Sequence, residues 1–251
     1  MTVVRLAYSP RNIGTLIDHA AEGPVNLLVS YDVVDKFLKR KDELNIGSWV
    51  LDSGAFAVWN SGRTIDNKDF IACAKDMAGE AEEVYGLDVI GSFIATAKNL
   101  EEAWADGVPA IPTFHRHDDW KWLDWCCRKS PTGKIAIGGL AGKGRTGYKE
   151  WLQKVFALCW PRPIHAFAYA SWEAVKTYPF HSSDSSSWFT GGARFGTYSG
   201  YTGRPTYVGA RLIEDFWGEV LEYQRRERYA KAVWRKQLVE VQEVLDRHAE
   251  S

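Results

Sequence analysis

The chain has 251 residues, 45% of them hydrophobic and 25% charged, which is the profile of a folded globular protein and excludes disordered and membrane-embedded classes. A net charge of -1 exerts no global pull on nucleic acid, so affinity for a polyanion needs a local basic patch. No run reaches the roughly 18 apolar residues of a membrane span, and the N-terminus lacks a signal peptide's basic and apolar regions, which points to the cytoplasm.

The first short apolar strand falls at 3–7, followed by a helix over 13–20. A second strand at 25–30 leads into a helix over 31–40, where Val33, Val34, Phe37 and Leu38 recur at helical spacing. The third strand, 49–51, runs straight into Asp52-Ser53-Gly54. A helix is expected over 67–85 from the face Phe70, Ile71, Ala74, Met77, Ala78 and Ala81, and a fourth strand over 86–92. A short helix at 99–105, a strand at 108–114 interrupted by two prolines, and a Trp-rich helix at 118–128 follow. The sixth strand, 134–137, ends in Gly138-Gly139-Leu140-Ala141-Gly142, with a helix over 148–160 behind it. The seventh strand is 164–168, a helix follows at 171–177, and the eighth strand is 180–183. Residues 191–205 read as a Gly- and Tyr-rich loop or irregular hairpin, and 211–248 as a long helical tract.

Eight apolar strands alternating with amphipathic helices predict an α/β fold, a (β/α)8 barrel of the TIM type over about 1–190. A C-terminal helical extension over about 191–251 completes what reads as a single domain, with no linker dividing it. The four cysteines, Cys73, Cys126, Cys127 and Cys159, form no C-x-x-C pair, so reduced thiols are expected and no zinc subdomain or other metal. Most of the twelve tryptophans are expected in the core and between outer helices.

In such a barrel the strand C-termini build the active site, and Asp52, Asp88, His115, Gly138-Gly139 and Asp184 all fall there. Asp52 has two readings: a cap for the turn that follows, or a rim carboxylate poised for chemistry. Asp184, set among serines that can orient it, makes a second rim carboxylate, and the pair suggests one site. In the last helical tract Arg225, Arg226, Arg228, Lys231, Arg235 and Lys236 form either a solvated face or a phosphate-binding stripe.

The segments Asp52-Ser53-Gly54-Ala55-Phe56 and Gly138-Gly139-Leu140-Ala141, with Asp184 after them, resemble motifs of the tRNA-guanine transglycosylase (queuine tRNA-ribosyltransferase) superfamily, most closely its small phage-type branch. The resemblance spans residues 25–190 in motif order, with Ala55 replacing the family's second glycine, and lacks the cysteine-rich zinc subdomain of the tRNA enzymes. It implies a DNA-modifying glycosyltransferase that exchanges guanine for a 7-deazaguanine such as preQ0 without a cofactor. Under that expectation Asp184 is the nucleophile that forms a glycosyl-aspartate and Asp52 the general acid and base.

Base binding would then fall to Ser53, Gly54, Phe56, Asp88, His115, Gly138, Gly139 and Leu140, with Tyr169 a second stacking residue and Phe56 equally readable as core. Backbone phosphates would meet Lys143, Arg145, Arg194, Arg204, Arg225 and Arg228. The implied partners are duplex DNA with a flipped guanine and a free deazaguanine base, with tRNA a less favoured substrate and a homodimer open. The alternatives are a tRNA or nucleoside transglycosylase, a base-excising glycosylase, and a non-catalytic nucleic-acid-binding barrel.

Overall fold

A computed structural model describes residues 2–140, 147–189, 197–198, 206–207 and 214–249. Its strands are β1 (Val3–Ala7), β2 (Val25–Ser30), β3 (Ile46–Asp52), β4 (Thr113–His115), β5 (Ile135–Gly138), β6 (Ile164–Ala166) and β7 (Ser182–Ser185). These seven form one parallel sheet in the order β3-β2-β1-β7-β6-β5-β4. The segment 82–86 bonds to both edges of that sheet. Leu51 N–H donates to Glu83 O and Tyr85 N–H to Leu51 O on one side, while Gly86 N–H donates to Ile111 O and Ile111 N–H to Val84 O on the other. Eight parallel runs thus ring one interior, a (β/α)8 TIM-type barrel as the alternation of elements predicts.

The helices α1 (Ile13–Asp18), α2 (Val34–Leu38), α3 (Ala55–Asn60), α4 (Asn67–Asp76), α5 (Phe93–Ala105), α6 (Trp120–Lys129), α7 (Tyr148–Cys159) and α8 (Trp172–Thr177) lie between the strands in sequence. Two more, α9 (Glu214–Val233) and α10 (Arg235–Ala249), follow an antiparallel pair, β8 (Thr197–Tyr198) and β9 (Thr206–Tyr207).

Strand faces alternate as the pleat requires. Leu28, Val50, Tyr85, Ile111 and Ala136, with Phe167, fill the barrel, while Leu27, Val29, Trp49 and Leu51 face the helices together with Phe37, Phe70 and Leu100. Lower in the barrel Arg5 is fully buried, donating to Ser48 Oγ at 2.9 Å and Glu82 Oε2 at 2.8 Å. Beside it Glu83 accepts from Tyr85 Oη at 2.7 Å and Lys134 Nζ at 2.5 Å. The expected packing of tryptophans between helices is present, as Trp104 against Trp125 and Trp122 against Phe93.

Several expected boundaries move, among them the helix expected over 99–105, which begins at Phe93. The helix expected over 67–85 ends at Asp76, with Gly79 at φ +86° beyond it, and the fourth run lies at 82–86 instead of 86–92. Spacing in Ala78 and Ala81 continues the helical pattern, but the backbone of Glu82 to Gly86 is taken up by both neighbouring strands. The long C-terminal tract breaks at Trp234, whose indole N–H donates to Val175 O. Its first half, α9, packs on β1, α8 and α1, the place of the helix that follows a barrel's last strand. No helix among the described residues is long and apolar enough to cross a membrane.

Candidate active site

The site is built at the C-terminal ends of the strands, beginning with Asp52 as the last residue of β3. Its Oδ2 accepts from Ser30 Oγ at 3.1 Å and from the Gly54 N–H at 3.1 Å. Ser30 stands opposite Asp52 in the β2–β3 register, so the strand pairing itself brings them together. The Gly54 bond requires the chain to reverse within two residues. Gly54 does this at φ +73°, a conformation costly for any residue with a Cβ. The cap reading of Asp52 therefore holds, and the chemical reading is compatible with it, because one carboxylate oxygen carries both bonds.

Asp88 follows the fourth run. Its Oδ1 accepts from Ser53 Oγ at 3.3 Å, and its Oδ2 lies 2.7 Å from His115 Nε2. His115 closes β4, and its backbone N–H donates to Asp118 Oδ2 at 2.8 Å, which fixes the turn. Gly138 lies opposite His115 in the β4–β5 register, and a Cβ there would sit 2.6 Å from His115 Cε1 and Nδ1. This position is glycine because the imidazole occupies the space.

Asp184 is in β7, a strand of sequence Ser-Ser-Asp-Ser that is buried along its whole length. A polar strand inside a barrel persists only if its groups find partners. Asp184 Oδ1 accepts from the Ala168 N–H at 2.9 Å, Ser182 Oγ pairs with His165 Nδ1 at 2.8 Å, and Ser185 Oγ accepts from Tyr223 Oη at 3.0 Å. His165 Nε2 approaches Asp184 Oδ1 to 3.4 Å. Ala168 holds φ +54°, a left-handed backbone that costs about 1–2 kcal/mol in a non-glycine residue and here aims its N–H at the carboxylate.

Three carboxylates and two imidazoles thus converge. Burial, followed by the charges of Asp88 and Asp184, pushes the Asp52 carboxyl up to about 7, against the pull of the Gly54 N–H and the Ser30 hydroxyl. For His115 burial works downward, but the hydrogen bond and charge of Asp88 outweigh it and hold the imidazolium above its usual range. At physiological pH Asp52 can therefore take up or release a proton, with the Asp88–His115 hydrogen bond beside it. Among the described residues no three His, Cys, Asp or Glu side chains are grouped to hold a metal ion.

The other expected site residues divide. Ser53 and Gly54 lie in the site, as described. Gly139 follows Gly138 at φ +78° beside Arg116. Leu140 and Tyr169 are core residues of the barrel's second half, 4% and 8% exposed. Phe56 is 60% exposed on α3, so its reading as core fails, and with Trp59 at 58% it forms an apolar rim. Beside this rim a cleft of about 200 Å³, lined by Ala55, Trp59, Arg63, Leu87 and Asp88, opens onto the site. Of the basic stripe, Arg225 pairs with Glu222, Lys231 pairs with Glu227, and Arg226 is buried with Nη1 donating to Ala170 O, while Arg228 is exposed. Lys143, Arg145, Arg194 and Arg204, with Ala141, Gly142 and most of the 191–205 loop, lie outside the described residues.

Ser30, His165 and Ala168 were not foreseen as site residues. His165 carried a usable signal, since it is the one ionisable residue in an otherwise apolar strand. The contributions of Ser30 and Ala168 come from register and backbone conformation, which leave no mark on residue type.

The architecture defines a (β/α)8-barrel protein with an acidic mouth. No family model and no curated protein matches the chain. Among solved structures, it is similar to a protein from Aquifex aeolicus VF5 (11% identity, 90% of this chain and 93% of that one, TM-score 0.51). It is also similar to a mutant tryptophan synthase alpha-subunit from Pyrococcus furiosus (12% identity, 89% and 97%, TM-score 0.50). The YdjI aldolase from Escherichia coli K12 matches at a TM-score of 0.44 (11% identity, 92% and 90%). At these identities the likeness is one of fold.

These findings correct the expected family. Of the structures similar at a TM-score of 0.50 or more, the two named are a protein from Aquifex aeolicus VF5 and a tryptophan synthase alpha-subunit, and neither is named as a tRNA-guanine transglycosylase. Exchange of guanine for a deazaguanine in DNA, and with it the glycosyltransferase class, is withdrawn. The motifs that suggested it have local explanations: Asp52-Ser53-Gly54 is a carboxylate-capped turn, Gly138 makes room for His115, and Leu140 fills the core.

Proposed function

We propose that this chain is a barrel enzyme that performs general acid–base catalysis on a small polar substrate at the C-terminal mouth. The observation that carries this reading is the Asp52 carboxyl, raised to about 7 by burial and by two facing carboxylates, the tuning that a proton carrier at neutral pH requires. In the protonated state Asp52 donates to a leaving or accepting atom, and in the ionised state it removes a proton. Asp88, bonded to His115, and Asp184, bonded to the Ala168 N–H, place carboxyl oxygens around it that can accept from N–H and O–H groups of a substrate.

An acidic mouth of this kind favours a cationic substrate or one rich in N–H and O–H donors, with its less polar part against Phe56 and Trp59. Proton transfer of this type serves lyases and isomerases. The reading rests on the site and not on the names of the fold's neighbours.

Two measurements test it. Carbon-13 NMR of labelled aspartates should show Asp52 titrating near neutrality, and Asp88→Asn should move that titration toward the ordinary carboxylate range. Incubation of the protein with a metabolite extract in deuterium oxide should then produce a deuterated species that the Asp52→Asn chain does not make. An ordinary Asp52 titration, or a species formed equally by the Asp52→Asn chain, defeats the proposal.

A further inference from the structure

At the opposite end of the barrel from this mouth, two thiols meet. Cys127 lies in the last turn of α6 and Cys159 is the last residue of α7, and their sulfurs are 3.4 Å apart, at hydrogen-bond distance and unbonded. Helices run antiparallel to the strands they follow in a β/α barrel, so helix C-termini lie at the strand N-termini, away from Asp52 and Asp184. The acid–base reading makes no use of this pair.

The two are not equivalent. Cys127 is partly exposed and Cys159 is 2% exposed. The hydrogen bond from Cys159 lowers the Cys127 thiol below its usual range against the opposing effect of burial, and the guanidinium of Arg162 adds to the lowering. The same contact raises Cys159, as does its burial. Cys73 is partly buried and Cys126 fully buried, and burial pushes both of those thiols upward. An accessible thiol inclined to ionise, with a second thiol behind it, is the arrangement of an attacking and a resolving cysteine.

We propose that Cys127 and Cys159 form a reversible thiol-modification site for low-molecular-weight disulfides, with Cys127 the attacking and Cys159 the resolving residue. The Cys127 thiolate attacks one sulfur of the small disulfide, forms a mixed disulfide and releases the other half as a thiolate. Cys159 then loses its proton to solvent and attacks Cys127 Sγ, expelling the second half. The protein gives up two electrons and two protons, and the disulfide becomes two thiols. The product is a bond that ties the end of α6 to the end of α7.

The test uses the full chain and glutathione disulfide. After acid quench, the intact mass should fall by two hydrogens, and the peptide carrying Cys127 should be joined to the one carrying Cys159, with dithiothreitol reversing both. The Cys159→Ala chain should stop one step earlier, gaining a single glutathionyl group on Cys127. Four freely alkylatable thiols after incubation, or an adduct placed on Cys73 or Cys126, would overturn the proposal. The wild-type measurement decides the matter even if the Cys159→Ala chain does not fold.

Discussion

At the scale of single residues, Asp52 sets stability against chemistry. Its carboxyl moves from an ordinary value of 3.8 to about 7 on folding, so between those values the folded chain holds a proton that the unfolded chain has released. The contribution is therefore most favourable below about pH 4, declines as pH rises toward 7, and is flat above that. At about 1.4 kcal/mol per pH unit, ionised Asp52 costs the fold about 4 kcal/mol. Asp52→Asn should raise the urea midpoint markedly at pH 8 and hardly at all at pH 4, while abolishing turnover; equal midpoints at pH 8 would count against the buried acidic cluster. Gly138 offers a second test at this scale. Gly138→Ala sets a Cβ 2.6 Å from the His115 ring. The imidazole must leave Asp88, at a cost of about 1–3 kcal/mol. NMR titration should then show the His115 pKa falling, since the Asp88 bond that holds it up is lost.

Among the elements, α9 shows how a helix rich in charged residues is fixed to a barrel. Glu227 Oε2 accepts from the Val4 N–H at 2.8 Å and from Asn26 Nδ2 at 3.0 Å, filling the place where β1 has not yet paired with β2. Tyr223 reaches Ser185, and Arg226 lies over the Tyr223 ring at 4.3 Å. A buried amide left without an acceptor costs about 1–3 kcal/mol. Glu227→Ala should lower stability by that amount and speed hydrogen exchange at Val4, whereas exchange unchanged at Val4 would show that α9 does not close this edge. The same contacts explain why the basic stripe misleads in the sequence: charges at helical spacing look alike whether they face solvent or, as with Arg226 on Ala170 O and Glu227 on the Val4 N–H, hold the helix to the barrel.

For the molecule as a whole, pH dependence combines opposed terms from the two ends of the barrel. Burial works to raise the Glu83 carboxyl, yet the charges of Lys134 and Arg5 bring it down to about 2. Its contribution is present above about pH 4.5 and is lost as pH falls toward 2. Burial likewise lowers His181 to about 3, so it stays neutral in the fold while the unfolded chain takes up a proton below about 6.5. Both groups erode stability in acid, and Asp52 erodes it toward neutrality. Between about pH 4.5 and 6.5 the gain from His181 offsets the loss from Asp52, so the pH–stability profile should be flat there and fall away below about pH 4.5. Glu83→Gln should flatten the acid side and leave the plateau in place, and a Glu83→Gln profile superimposable on wild type would remove Glu83 from the account.

The amino-acid sequence determined the barrel class and the rim carboxylates by itself, because apolar strands of period two and helical faces repeat locally, and Asp before Ser-Gly marks a strand end. The apolar runs of β2, β3, β5 and β6 were legible for this reason. The fourth run at 82–86 was not, since its residues extend a helical pattern and only pairing with two neighbours makes them a strand. Nor was the choice among functions legible: a capped turn, a glycine under an imidazole and a core leucine read as one family's motif. Tertiary structure alone decided that Asp52, Asp88 and Asp184 share one desolvated mouth, because electrostatic coupling depends on distances between strand ends that the chain order does not encode.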